Sequence, residues 1–160
     1  MITNFPDKKI YNLGGYTSFV FSPIQFIAGV QRSISANAPI ALVSFLGGYD
    51  WLSGYATMQS LAYTEEPKTD DNGTYYDLTI AGFIPGDKPE LEQVLADMEQ
   101  QRHLVVLKDP AGILRLVGTD KQPLTFLASY SSGAARSDQK GYTFKFSGNS
   151  SVRAPQFISR

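Results

Sequence analysis

Apolar and polar positions repeat with two different periods along residues 60–148, and the changes between periods locate the elements. Leu91, Val94, Leu95 and Met98 recur at i, i+3, i+4 and i+7, which lays one apolar stripe along a helix whose other face carries Glu92, Gln93, Asp97 and Glu99. Asp87 stands where an N-cap is needed, Pro89 falls in the first turn where its missing N–H is no loss, and Glu90 can reach back to the cap backbone. The pattern predicts a helix from Asp87 to about Gln101. Leu104-Val105-Val106-Leu107 follows as a continuous apolar run, too short for a helix and right for a covered strand.

Two-residue alternation predicts strands on both sides of the helix. Tyr75 to Phe83 reads as a strand with a break at Gly82, paired with Ser60 to Glu65 through Asp70-Asp71-Asn72-Gly73, residues that tolerate a reversing loop. On this reading Pro67 to Gly73 is a long hairpin loop. Asp109-Pro110-Ala111-Gly112 fits a type I turn joining Leu104–Lys108 to Ile113–Val117. A third hairpin pairs Leu124–Ser131 with Tyr142–Ser147, where Phe144 and Phe146 alternate with Thr143, Lys145 and Ser147 as in a sheet with one wet face. The expected fold is mainly β within an α+β class: an antiparallel β-sandwich or barrel flanked by one helix, in a single domain over 1–160.

The N-terminal part is different. Residues 1–64 hold five charged side chains, Asp7, Lys8, Lys9, Arg32 and Asp50, and the other 96 residues hold 24. Tyr16–Phe21 and Ile40–Leu46 look like strands, and the span from Phe19 to Ile27 is too apolar to lie open in water. Large apolar patches on a soluble chain mark interfaces. Residues 1–40 are therefore read as an extended arm or interface segment, with Phe19, Phe21, Ile24, Phe26 and Ile27 as the expected contact residues. Charge is also split along the chain: residues 65–99 carry ten acidic against two basic side chains, a balance of −8, and residues 119–160 carry six basic against two acidic, a balance of +4. The acidic loop at Asp70 and Asp71 is expected to meet the Arg136–Lys140 loop or the basic tail of an adjacent subunit.

Composition narrows the function classes. At 42% apolar and 18% charged, with net charge −1, the chain is neither disordered nor generically suited to nucleic acid, and 14 glycines with 12% aromatics suit a turn-rich β protein. The absence of cysteine excludes disulfides, thiol catalysis and cysteine zinc sites. No signal-peptide pattern and no apolar run of bilayer length is evident, so synthesis in the cytoplasm and no membrane partner are expected.

Candidate chemistry is sparse. His103 is the only histidine and, beside Arg102, reads as a surface or capping residue. Asp70, Asp71 and Asn72 lack the alternating spacing and closing glutamate of a calcium loop. Glu65-Glu66 with Asp70-Asp71 could supply two carboxylates for glycoside hydrolysis, yet nothing apolar stands nearby in sequence to raise one of them. Gly47-Gly48-Tyr49-Asp50-Trp51 and Gly14-Gly15-Tyr16 place aromatics beside glycines, as in a sugar platform, an interface anchor or a plain turn. No phosphate loop or nucleophile elbow is present. No catalytic, metal or cofactor residue is assigned.

Asp71-Asn72-Gly73-Thr74-Tyr75-Tyr76, the Ile84-Pro85-Gly86-Asp87 helix entry, Val106-Leu107-Lys108-Asp109 with Gly112, Leu116-Val117-Gly118, Pro123-Leu124-Thr125-Phe126 and the closing Gly141-Tyr142-Thr143-Phe144-Lys145-Phe146-Ser147-Gly148 together resemble small virion proteins of tailed bacteriophages and prophages. The likeness is one of pattern and covers about the last 100 residues. It implies a tail-tube, tail-terminator, neck or baseplate subunit that forms rings, commonly sixfold, with itself and other virion proteins, and that meets nucleic acid only by its passage through a lumen. It implies no catalysis, no cofactor and a place in the virion. The alternative class is a receptor- or glycan-binding tail module using Tyr49, Trp51 and Tyr55, and the third is an enzyme that gathers carboxylates from distant segments.

Overall fold

The computed structural model describes residues 14–16, 18–35 and 38–157. Among these residues the fold is mainly β, with one α-helix and one large, mostly antiparallel sheet. The strands are β1 (Ser18–Pro23), β2 (Ile27–Ser35), β3 (Ala38–Phe45), β4 (Leu52–Ser53), β5 (Ala62–Asp70), β6 (Gly73–Pro85), β7 (Arg102–Lys108), β8 (Leu114–Val117), β9 (Leu124–Ser131), β10 (Gly141–Ser150) and β11 (Gln156–Phe157), with helix α1 at Pro89–Glu99. The sheet runs β2-β3-β11-β8-β7-β9-β10-β6-β5, and β1 pairs with β7 and β4. Among the described strands only β11 with β3 is parallel.

β7 organises the fold. One of its edges pairs along its length with β1, from Ser18 opposite Lys108 to Pro23 opposite His103. The other edge is shared, with Val105–Lys108 on β8 and Arg102–His103 on β9. Its side chains alternate between two cores: Val105 and Leu107 join the larger one, Leu104 and Val106 the smaller. A strand covered on both faces has no polar positions to alternate with, which is why its sequence is a continuous apolar run.

The larger core lies inside a curl formed by β1, β7, β9, β10, β6 and β5. The curl is drawn together where the Tyr16 N–H donates to Leu61 O at 3.2 Å, just ahead of β5. Inside, rings pack on rings: Phe19 lies 5.5 Å from Phe144 and Phe126 lies 4.9 Å from Phe146, centroid to centroid. Gly82 makes room for this packing. It stays within β6, paired with Phe144, and a methyl group there would lie 2.5 Å from the Phe144 ring. The expected break in the strand is therefore absent. The smaller core is roofed by the β2–β3 hairpin together with Trp51 and Phe157 of β11; Val30, Val43, Trp51 and Phe157 pack against Ala41, Leu104, Val106 and Leu116.

α1 is shorter than the sequence pattern predicts, and its cap differs. Lys88 is the N-cap with no side-chain bond, and its carbonyl accepts from Leu91 N–H at 3.0 Å and Glu92 N–H at 3.2 Å. Asp87 is diverted: its carboxylate takes Lys140 at 2.7 Å and the Tyr130 hydroxyl at 3.2 Å. The apolar stripe is Leu91, Leu95 and Met98, and Val94 is 52% exposed. The helix packs beside β9, where Glu99 Oε1 accepts from Ala128 N–H at 3.0 Å.

The hairpins fall where the turn chemistry places them, with longer strands. β5 runs on through Pro67 to Asp70, so only Asp71 and Asn72 form the turn, and the expected long loop is strand. The Asp109–Gly112 turn closes with Gly112 N–H donating to Asp109 O at 3.0 Å and Gly112 at φ 85°.

Candidate interaction surfaces

The predicted interface segment divides between core and surface. Phe19 is 5% and Phe21 8% exposed, and both stand on the inner face of β1 within the larger core. This corrects their assignment as contact residues: β1 lies between two cores, so the apolar run that looked too greasy for water is covered by the chain itself. Ile24 and Ile27 pack against the smaller core. Phe26 alone reaches an exposed apolar platform, stacking on Tyr49 with centroids 4.0 Å apart and planes within 7°. The turn that presents Tyr49 is held by Tyr49 N–H on Leu46 O at 3.2 Å and Leu46 N–H on Phe26 O at 2.9 Å. Leu46, Tyr49 and Leu52 each keep nearly half their surface in water. Of the segment 1–40 expected as an arm or interface segment, residues 1–13, 17, 36 and 37 lie outside the described residues, and most of the rest belongs to β1, β2 and β3.

The two charged poles are partly joined inside one chain. Lys140 pairs with Asp87 at 2.7 Å and Arg153 with Glu65 at 2.9 Å, each linking the acidic stretch to the basic one. Lys140 thus already has a partner within its own chain, Asp87, which the sequence reading did not anticipate. Asp70 caps its own turn by accepting from Asn72 N–H at 2.8 Å, and Asp71 is exposed. Arg136 is exposed on the β9–β10 loop, whose shape is set by Asp138 accepting from Ala134 and Ala135 N–H, each at 2.8 Å. Those two bonds, from Ala135 first and then Ala134, hold the Asp138 carboxyl below its usual range.

Glu65, weighed in the sequence only as a member of a carboxylate pair, is a structural centre. It shares the inward face of β5 with Tyr63, and its carboxylate accepts from the Tyr63 hydroxyl at 2.8 Å, Arg153 at 2.9 Å and Ala154 N–H at 2.7 Å. Burial works to raise its pKa, but the bonds from Ala154, Tyr63 and Arg153 and the charge of Arg115 outweigh it, and the net shift is downward. Burial and then the bond to Glu65 push the Tyr63 phenol up. Arg115 donates to Ala154 O at 2.7 Å, so the segment leading to β11 is clasped from both sides. The Tyr63-x-Glu65 spacing, which places both on one face of a strand, was the available signal.

His103 is fully buried, contrary to the expected surface position, although it does serve the helix end. Its Nε2 bonds Met98 O in the last turn of α1 at 2.9 Å, and Nδ1 has no partner. The carbonyl can only accept, so the Nε2–H tautomer is assigned by this bond. The rings of Phe21, Phe126 and Phe146 surround it, and burial lowers its pKa more than the Met98 bond raises it.

The 54–60 segment presents a rigid apolar loop. Thr57 gives both its N–H, at 2.8 Å, and its hydroxyl, at 2.9 Å, to Phe83 O, and Phe83 N–H returns to the Ser60 hydroxyl at 3.2 Å. Gln59 is held at φ 65°, a conformation that costs a non-glycine residue energy and persists only where neighbours fix it. Met58 is left 88% and Tyr55 61% exposed. Trp51, by contrast, is drawn into the smaller core against Phe45 and Phe157.

Among the described residues no three His, Asp or Glu side chains gather as a metal site would require, and no helix is long and apolar enough to cross a membrane. No protein-family model, no curated protein and no solved structure matches this chain.

Proposed function

We propose that this chain is a structural subunit of a phage tail or neck assembly, one that forms a ring or tube by head-to-tail association and carries out no catalysis. The observation that bears most weight is the Phe26–Tyr49 stack with Leu46 in the turn beside it, a preformed apolar surface just ahead of β2, which ends the sheet path among the described residues; Leu52 on β4 is exposed as well. The two ends of the sheet path, β2 and β5, are unlike, which suits contacts between different surfaces of successive subunits. β5 carries Pro67 opposite Tyr76. Counting from the Asp70–Gly73 pair that closes the turn, this is a non-hydrogen-bonded position, so the missing N–H lies on the outward edge and guards it against random pairing. Described β2 has no proline.

Mass photometry and negative-stain imaging test this. A ring is expected for the native chain, and Tyr49→Asp with Leu52→Asp should yield folded monomers of unchanged melting temperature. A native chain that stays monomeric at micromolar concentration overturns the proposal. The exposed Tyr49 and Tyr55 favour glycan binding as a second reading, and binding on a glycan array by a chain that forms no ring would select it.

A further inference from the structure

The outer face of the curl carries a row of side chains set by strand register. Thr64 on β5 is opposite Thr79 on β6, Thr79 is opposite Ser147 on β10, Ser147 is opposite Thr125 on β9, and Thr125 is opposite Arg102 on β7. Arg102 bonds the Thr125 hydroxyl, which holds its guanidinium over the row. Lys145 stands two residues from Ser147 on the same face. A cavity of about 480 Å³ opens over this surface, lined by Thr79, Arg102, Thr125, Lys145, Ser147 and Asn149 among others. On the other side of the 119–123 loop a second cavity of about 740 Å³ adds Arg32, Lys121, Gln122 and Ser151.

Consecutive residues Gln122 and Pro123 line one cavity each, so the two are neighbours, and the trough they make together carries four cations, two per cavity, on a chain whose net charge is −1. The carboxylates facing it are Asp120, beside Arg32, and Asp77, which Lys68 neutralises at 2.8 Å. Arg102, Lys121 and Lys145 form no ion pair with any described residue. The four cations are divided between the two cavities, Arg102 and Lys145 in one and Arg32 and Lys121 in the other, which suits a repeated charge better than a single anion. No aromatic ring lines either cavity, so neither a base nor a sugar ring has a stacking surface. Hydroxyls and amides interleaved with Arg and Lys are the set that contacts phosphate and sugar without reading sequence.

We infer that this trough binds the phosphodiester backbone of double-stranded nucleic acid, weakly and without regard to sequence. The inference does not depend on ring formation, and it is tested with the full chain by fluorescence anisotropy on a labelled 20-base-pair duplex of arbitrary sequence. Four phosphate contacts give a slope of log K against log salt of about −3.6, so raising salt from about 50 to 200 mM should weaken binding about 150-fold. Lys121→Gln with Lys145→Gln should reduce the slope by about two, because each cation removed returns one phosphate contact. Both lysines are exposed, so the double variant should melt as the native chain does, and Lys88→Gln on the helix serves as a control that leaves the slope unchanged. The inference is overturned by absence of duplex binding at 50 mM salt, by a slope that the double variant leaves intact, by heparin binding without duplex binding, or by equal competition from inorganic phosphate at the same phosphate concentration.

Discussion

Two buried titratable side chains set how the fold answers to acid. His103 is neutral inside the larger core, and its protonation would place an N–H with positive charge on Nδ1, which has no partner. Its folded pKa lies below the unfolded value, so the stability tied to it is fully present above about pH 6.5 and is lost progressively as pH falls below that. Glu65 is shifted downward as well, and for a carboxylate the contribution is present above the unfolded value of about 4.3 and lost as pH falls through the lower folded value. Acid unfolding should therefore come in two windows. Following melting temperature against pH, His103→Leu should flatten the upper window and Glu65→Gln the lower one. Glu65→Gln should also lower stability by about 1 to 3 kcal/mol at neutral pH, because three donors lose a charged acceptor. An upper window unchanged in His103→Leu would place its cause in another group.

At the scale of elements, α1 offers the sharpest contrast between neighbouring positions. Leu95 is 4% exposed and packs into the larger core, so Leu95→Ala should cost about 2 to 5 kcal/mol. Val94, one residue away and half in water, should tolerate Val94→Ser within about 0.5 kcal/mol. Urea denaturation of the two variants checks both values, and equal losses would mean that the helix is turned otherwise. The same element shows what the sequence made legible. Period and turn chemistry were enough for α1, for β7 and for the three hairpins from β5 to β10. The cap was misjudged because Asp87 is taken by Lys140, 53 residues further along, a partner that no local pattern announces. β4 and β11 were missed for a similar reason: Leu52–Ser53 and Gln156–Phe157 are two-residue strands defined only by what they pair with. Of the expected contact residues, Phe19 and Phe21 were indistinguishable in sequence from Phe26, since hydrophobicity alone does not tell a core from an interface.

For the molecule as a whole, the proposed ring makes the contribution of charge to assembly a measurable quantity. The bridges Glu65–Arg153 and Asp87–Lys140 absorb part of the charge split within each subunit, leaving Asp70, Asp71 and Arg136 exposed. Exposed pairs of this kind contribute about 0 to 1 kcal/mol and are screened over about 8 to 10 Å at moderate salt. Asp70→Lys with Asp71→Lys should accordingly slow ring formation at low salt and leave it unchanged at high salt, as read by light scattering. Indifference at low salt would mean that the apolar platform alone holds the subunits.

β7 adds a property that belongs to neither core separately. Its backbone is a partition with tenants on both sides, and a partition cannot shift toward a vacancy in one room without crowding the other or pulling away from it. Leu104 and Leu107 point to opposite sides and never meet, yet the space left by shortening one is bounded by a wall that the other holds in place. Two chambers with no shared side chain are thereby mechanically linked, and damage in either is felt through the wall.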